Sequence, residues 1–363
     1  MKLRLKTATL QEMMTKVVKG ATNNKIIPLT GLLSISLSGG TLSVTTTDAV
    51  NFFTIVESPV EGEDFSVVVK VDLFSKLVAK TTSDFITLEL EGNSLSVTGN
   101  GTYKIDLPLD EEGQPIKFPG YSFNEDSAEK GTIKLASIKS AILANKPALA
   151  VTMEAPHLTG YYCTPNSIVS ADSFNICVNS VKTFNKTVLM ASIVFDLLAM
   201  SDSEDISYAF DESRILFTTP KMRLIAKPMN GVEEYPIEAV QGFAGCEFPS
   251  SCVLPKTLLI NVLDRLSLFI SDFDVNGVYL TFTTDGVRVA STKNTASELI
   301  PYQSSENFAP FTCLAGVDSF KKQIQARSGE TVTMHYGIPD AIKLVDNNVV
   351  QIVALLEDDR TEE

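Results

Sequence analysis

One unit is written three times along this chain, about 120 residues apart. The centre of one apolar strand recurs at Val44, Ile168 and Val289, in Leu42-Ser-Val-Thr, Ser167-Ile-Val-Ser and Val287-Arg-Val-Ala. An aspartate follows the first two, at Asp48 and Asp172; Lys293 stands at the third position. A second strand recurs around Val97, Phe217 and Leu344. Between the two lies a repeated amphipathic run: Val71-Asp-Leu-Phe-Ser-Lys-Leu, Ala191-Ser-Ile-Val-Phe-Asp-Leu and Val317-Asp-Ser-Phe-Lys-Lys-Gln. Self-similarity at a fixed period constrains the fold more than any local propensity does.

Each unit is also doubled within itself. Gly40-Thr-Leu-Ser-Val-Thr and Asn93-Ser-Leu-Ser-Val-Thr share four residues, 53 positions apart. Each follows an alternating run, Leu33-Ser-Ile-Ser-Leu or Ile86-Thr-Leu-Glu-Leu, through a tight turn at Ser38-Gly-Gly or Glu91-Gly-Asn. Period-two alternation around such a turn predicts a β-hairpin. The chain therefore reads as six helix-plus-sheet half-units. The expected class is α+β: three tandem repeats, each of two helices packed on antiparallel sheets, over residues 1–125, 126–245 and 246–363. The linkers, near 119–130 and 236–249, read as irregular and turn-rich.

The first helix should start at a capping box, Thr9-Leu-Gln-Glu12, with Leu10, Met13, Met14, Val17 and Val18 on its buried face. Matching helices are expected over 136–146 and 255–265, and the second helix of each unit over 70–80, 190–200 and 317–327. Those six windows, the first taken as 9–19, hold twelve basic and five acidic residues, a net +7. The whole chain carries −14, so everything else carries −21. A basic helical surface is set in an acidic body; 190–200 is the exception, with no basic residue.

Enzymatic chemistry finds little material. His157 and His335 lie in different units, and no phosphate loop, dinucleotide fingerprint or His-Glu-x-x-His motif occurs. Acidic clusters at 202–205, 272–274 and 357–359 could hold Mg²⁺, but read more simply as solvated loop charges. The five cysteines, Cys163, Cys177, Cys246, Cys252 and Cys313, show no metal-ligand spacing and read as free buried thiols. No apolar run approaches the roughly 18 residues that span a bilayer, and Met1-Lys-Leu-Arg-Leu-Lys alternates like a strand, without a signal core. The expectation is a cytoplasmic binding protein, not an enzyme, with no cofactor, no metal and no membrane.

Several motifs together resemble the bacterial β sliding clamp, the processivity subunit of replicative DNA polymerase. They are Asn24-Lys-Ile-Ile-Pro-Leu-Thr-Gly-Leu-Leu-Ser-Ile, Gly40-Thr-Leu-Ser-Val-Thr-Thr-Thr-Asp48, Val71-Asp-Leu-Phe-Ser-Lys-Leu, and Asp264-Arg-Leu-Ser-Leu followed by Asn276-Gly-Val-Tyr-Leu. The resemblance covers 1–356 and is strongest in the first unit. It departs at Ser170-Ala-Asp-Ser-Phe-Asn-Ile176, where the family carries Ala-Thr-Asp-Gly-His-Arg-Leu. It departs again at the terminus, where an acidic tail, 357–363, follows Gln351-Ile-Val-Ala-Leu-Leu356. Such drift fits a viral or mobile-element copy.

The resemblance implies half of a ring: a head-to-tail homodimer that encircles duplex DNA without sequence preference. Such a ring would engage a polymerase and a clamp-loader ATPase through short peptide motifs. By position it implies a DNA-facing set of Lys16, Lys19, Asn24, Lys25, Lys76, Lys80, Lys139, Lys146, Lys256, Arg265, Lys321 and Lys322. It implies a peptide groove at Leu158, Asp172, Phe174, Ile176, Val353, Ala354, Leu355 and Leu356. It implies dimer contacts at Ile105, Leu107, Phe269 and Ile270. The other readings are a repeat-built scaffold of the same fold, which has no need of the helix charge bias, and a metal-dependent nuclease.

Overall fold

The computed structural model describes residues 1–22, 24–121, 123–124, 128–270 and 275–358. The acidic cluster at 272–274 and the tail beyond Asp358 therefore lie outside the described residues. Seven α-helices occur among those described: α1 (Thr7–Val17), α2 (Val71–Lys80), α3 (Leu135–Ala144), α4 (Ser192–Leu198), α5 (Ile237–Gly245), α6 (Lys256–Ser267) and α7 (Val317–Gln325). Six are the expected pair in each repeat.

The hairpins fall where alternation places them. Leu32–Ser38 pairs with Thr41–Thr47, with Ile35 opposite Val44, and Gly39 and Gly40 take the turn at φ +54° and +75°. Positive φ at both turn positions is a conformation glycine adopts without a side-chain clash. Phe85–Glu91 pairs with Ser94–Thr98, with Gly92 alone at positive φ, +58°, in the turn.

The chain divides into two compact units, residues 1–136 with 193–228, and residues 137–192 with 229–363. This cuts through the middle repeat because strands of neighbouring repeats are hydrogen-bonded. In the first unit Phe52–Glu57 of repeat one pairs with Met222–Ala226 of repeat two, Phe53 opposite Leu224. That pairing fuses two four-stranded sheets into one of eight. In the second unit Asn175–Asn179 of repeat two pairs with Val349–Ala354 of repeat three, Cys177 opposite Gln351, inside a nine-stranded sheet. The remaining sheets are four-stranded. One has Thr102–Asp106 as an edge strand, the other has Ser297–Pro301.

Helices form where apolar residues recur every three or four positions, and they bury that stripe. Helix α1 buries Leu10, Met13, Met14 and Val17. Helix α2 buries Phe74 and Val78, each contributing roughly 1.5–3 kcal/mol. Helix α6 buries Leu259, Val262, Leu263 and Leu266.

Four sequence expectations need correction. Helix α1 begins at Thr7, not at a Thr9 capping box: the strand Lys2–Lys6 runs straight into it, and Thr7 N–H donates to Asp84 O at 3.0 Å. The linker at 236–249 contains α5, nine residues long, with Val240 buried. Cys246 is exposed, whereas the other four thiols are buried. Arg327, counted with the surface bases, is only 2% exposed.

Candidate nucleic-acid and peptide interfaces

The basic residues singled out in the sequence divide by what they touch. Lys16 sits half-buried on α1 between Asp202, at 2.5 Å, and Glu12, at 3.0 Å. Burial pulls its ammonium down, but the two carboxylates outweigh it and the pKa is raised. One cation between two anions leaves that spot net negative. Arg265 makes a two-pronged pair with Glu298, Nε–Oε1 2.7 Å and Nη2–Oε2 2.6 Å. This pairing raises the arginine and lowers the glutamate. Lys256 donates to Gln325 O and Arg327 O at the end of α7, and Lys321 pairs with Asp264. Lys76 pairs with Asp72 one helical turn away; both are well exposed, so the pair exchanges easily with solvent or phosphate.

Lys19, Lys25, Lys80, Lys139 and Lys322 are exposed, and no acidic partner is found for them among the described residues. Lys146 opens a short 3-10 turn and is also exposed. Asn24 is a turn residue: its Oδ1 accepts from Ile26 N–H at 2.9 Å, and its own N–H donates to Thr30 Oγ1. Exposed ammonium groups on helices attract phosphate weakly and without regard to sequence.

The residues expected to form one trough are divided between two apolar patches. Leu158 and Ile176 pack against a cluster of Tyr162, Val169, Ala171, Leu189, Tyr235 and Val240, with Tyr162 and Tyr235 stacked at 4.6 Å. Val353 is 1% exposed and belongs, with Leu355, to the core of the third repeat. Ala354 N–H donates to Phe174 O at 2.7 Å and ties the two patches together. Leu356 N–H donates to Leu314 O at 2.8 Å. Phe174 is 64% exposed.

Asp172 builds the turn that holds Phe174. Its Oδ1 accepts from Phe174 N–H at 2.7 Å and Asn175 N–H at 2.6 Å, and both its oxygens lie 3.1 Å from Asn175 Nδ2. Asp48 makes the same bonds to Val50, Asn51 N–H and Asn51 Nδ2. The spacing Asp-x-x-Asn, present in both repeats, was the signal for this turn. Sequence reasoning missed α5, which brings Val240 over the Leu158 patch and leaves Phe243 58% exposed. Ile237 and Val240, three apart, were the signal, obscured by Gly242 and Gly245. Lys343 caps that helix by donating to Ala244 O and Cys246 O.

Of the expected dimer contacts, Ile105 and Leu107 are buried within the chain, at 5% and 7% exposure. Phe269 is exposed and Ile270 half-buried after α6. On the same edge strand as Ile105, Tyr103 is 44% exposed, although it lies opposite the buried Val97. In the other repeats the equivalent residues are Leu224, opposite Phe217, and Gln351, opposite Leu344. Both are fully buried, and each lies on a strand paired with a neighbouring repeat. Tyr103 and Leu299, 48% exposed on the Ser297–Pro301 edge, have no such cover.

Among the described residues no group of three or more His, Cys, Asp or Glu is placed to hold a metal ion, and no helix is long and apolar enough to cross a membrane.

Residues 1–115 match the family model of the DNA polymerase III beta subunit N-terminal domain. No match is found among curated protein sequences. Solved structures align over nearly the whole chain. The DNA polymerase sliding clamp from Bacillus subtilis gives a TM-score of 0.85 at 16% identity, covering 99% of each chain. DNA polymerase III subunit beta from Borrelia burgdorferi gives 0.86 at 16%, over 98% of this chain and 99% of that one. The beta subunit from Thermotoga maritima gives 0.83 at 15%, over 98% and 99%. The first 115 residues thus carry the sequence pattern of a polymerase III beta subunit N-terminal domain, and the chain as a whole has the β sliding clamp fold, in a divergent form.

Proposed function

We propose that this protein is a sliding clamp: two copies join head to tail into a closed ring around duplex DNA and tether a DNA polymerase to it. One observation carries the reading. The chain uses the same strand-to-strand junction twice, repeat one to two and repeat two to three. It leaves the matching half of that junction open at each end, at Thr102–Asp106 and at Ser297–Pro301. An edge strand with unpaired backbone groups is a template for another chain. Heterologous contacts of this kind either close into rings or run on as filaments; the clamp fold favours closure by two copies of three repeats. The dimer would cover Tyr103 and Leu299, with Phe269 and Ile270 beside the seam.

In this reading the exposed lysines Lys19, Lys25, Lys80, Lys139 and Lys322 supply most of the attraction to phosphate, with Lys146 beside them and Lys76 joining when it leaves Asp72. Lys16, Lys256, Arg265 and Lys321 contribute less, because each already has a partner. Retention on DNA comes from topology, so weak attraction suffices. The polymerase and its loader would dock by short peptides at the Leu158–Ile176 patch beneath α5, where Phe174 stands ready as an aromatic contact. Phe174 and Asn175 take the places of the family's histidine and arginine, so the groove carries a phenyl ring for the imidazole and a neutral amide for the cation. Light scattering on the purified chain tests the reading. A closed ring of two copies has about twice the 39.4 kDa of one chain; a monomer at micromolar concentration, or an open-ended series of oligomers, would contradict ring closure.

A further inference from the structure

In the second unit, an open groove of about 440 Å³ lies between the strand Phe311–Gly316, the Pro339–Asp340 turn and the segment from Leu355 to Asp358. Its apolar lining includes Phe311, which packs against Phe282 and Tyr336 with ring centroids 6.1 and 6.2 Å away, and Leu355. Three carboxylates line it, Asp340, Glu357 and Asp358, and no lysine or arginine does. Asp358 is held by the Tyr279 hydroxyl, which donates at 3.0 Å. Leu355 N–H donates to Asp340 O at 2.9 Å, so the wall does not depend on side chains alone.

One side of the groove is a strand edge. Phe311–Gly316 pairs with Gly277–Phe282 on its inner side. On its outer side it meets the chain's own terminus at a single bridge, Leu314 to Leu356. Backbone groups two residues apart on a strand point the same way. Thr312 N–H and C=O therefore face outward beside Leu314, and among the described residues no backbone group meets them. An open edge, an apolar seat and an acidic wall select one kind of occupant. The edge takes an extended backbone, the seat takes a large apolar side chain, and the carboxylates take lysine or arginine.

We propose that this groove binds a basic, extended peptide of a partner protein, which adds as a strand beside Thr312 and seats one large apolar side chain on Phe311 and Leu355. The proposal rests on reading this end of the chain as a partner-docking end, and it does not depend on the tethering of DNA.

The test uses the full chain and two fluorescein-labelled peptides, Lys-Leu-Lys-Leu-Lys-Leu-Lys and its Glu-Leu counterpart, followed by anisotropy. The lysine peptide should bind saturably and weaken as salt rises; the glutamate peptide should not bind. Binding of the lysine peptide should fall at least tenfold in the exposed double variant Asp340→Asn, Glu357→Gln. Hydrogen exchange should show new protection at residues 311–314. Unchanged binding in the double variant would overturn the proposal. So would protection confined to the Tyr162 and Val240 patch. Binding seen only after removal of residues 359–363 would make the occupant the chain's own terminus, and would also overturn it. A ring that forms normally but ignores the peptide would sink this inference and leave the clamp reading standing.

Discussion

Replacing Tyr103 by alanine should break the ring without unfolding the chain. Tyr103 is 44% exposed at a position whose counterparts, Leu224 and Gln351, are fully buried. An aromatic side chain buries about 150–250 Å² when covered. The exposed share is then about 70–110 Å², worth about 2–3 kcal/mol at ~25 cal/mol per Å². A closed head-to-tail dimer has two such seams, so the ring is weakened by about 4–6 kcal/mol in all. At about 1.4 kcal/mol per factor of ten, its dissociation constant rises by about three to four orders of magnitude. Sedimentation across a dilution series reads this directly, with urea unfolding of the monomer as the control. A variant that dissociates at the same concentration as the parent would mean that nothing covers Tyr103 in the assembly.

Other outcomes follow from the same geometry. Asp48→Ala and Asp172→Ala should each lower stability by about 1–3 kcal/mol, because both orphan the same turn amides; unequal urea midpoint shifts would show that the two turns differ. Ellman's reagent at pH 8 should titrate Cys246 alone in the native protein and all five thiols after denaturation; a second fast-reacting thiol would contradict the burial. Burial pushes Cys177, Cys252 and Cys313 up to about 12, above the ordinary thiol at 9.0. Folding therefore favours the protonated thiols, and this stability is complete below pH 9 and lost as pH rises toward 12. Cys252→Ala should flatten that alkaline decline in urea melts. Charge reversal at Lys80 and Lys139 should weaken DNA binding uniformly across sequences and reduce the slope of log affinity against log salt by about 0.9 for each phosphate no longer neutralised. An unchanged slope would remove those lysines from the DNA-facing surface.

The repeats were legible because Leu-Ser-Val-Thr and its variants return at fixed spacing, and because hairpins announce themselves by alternation and glycine turns. Helix positions came out within a few residues. The start of α1 did not, because Thr9 and Glu12 imitate a cap while Asp84 O, far along the chain, satisfies the real first turn. The junctions between repeats were not legible, since nothing local says that Phe52–Glu57 pairs with a strand some 170 residues on. The same limit governs the basic surface. Lys16 meets Asp202 and Arg265 meets Glu298, partners that a count of helix charges does not see. Arg327 counted as a surface base and lies instead beside Cys177 in the interior. Asp172 looked like a groove residue by position, and its turn geometry explains it without a partner.

Closure around DNA is measured by retention on circular against linear DNA. The protein would be loaded onto a nicked circle by a clamp loader, stripped of loosely bound molecules at moderate salt, and followed after a restriction cut. A closed ring should be lost slowly from the intact circle and rapidly once an end exists, with Tyr103→Ala lost from both. Equal retention on circular and linear DNA would show that the protein grips the duplex instead of encircling it.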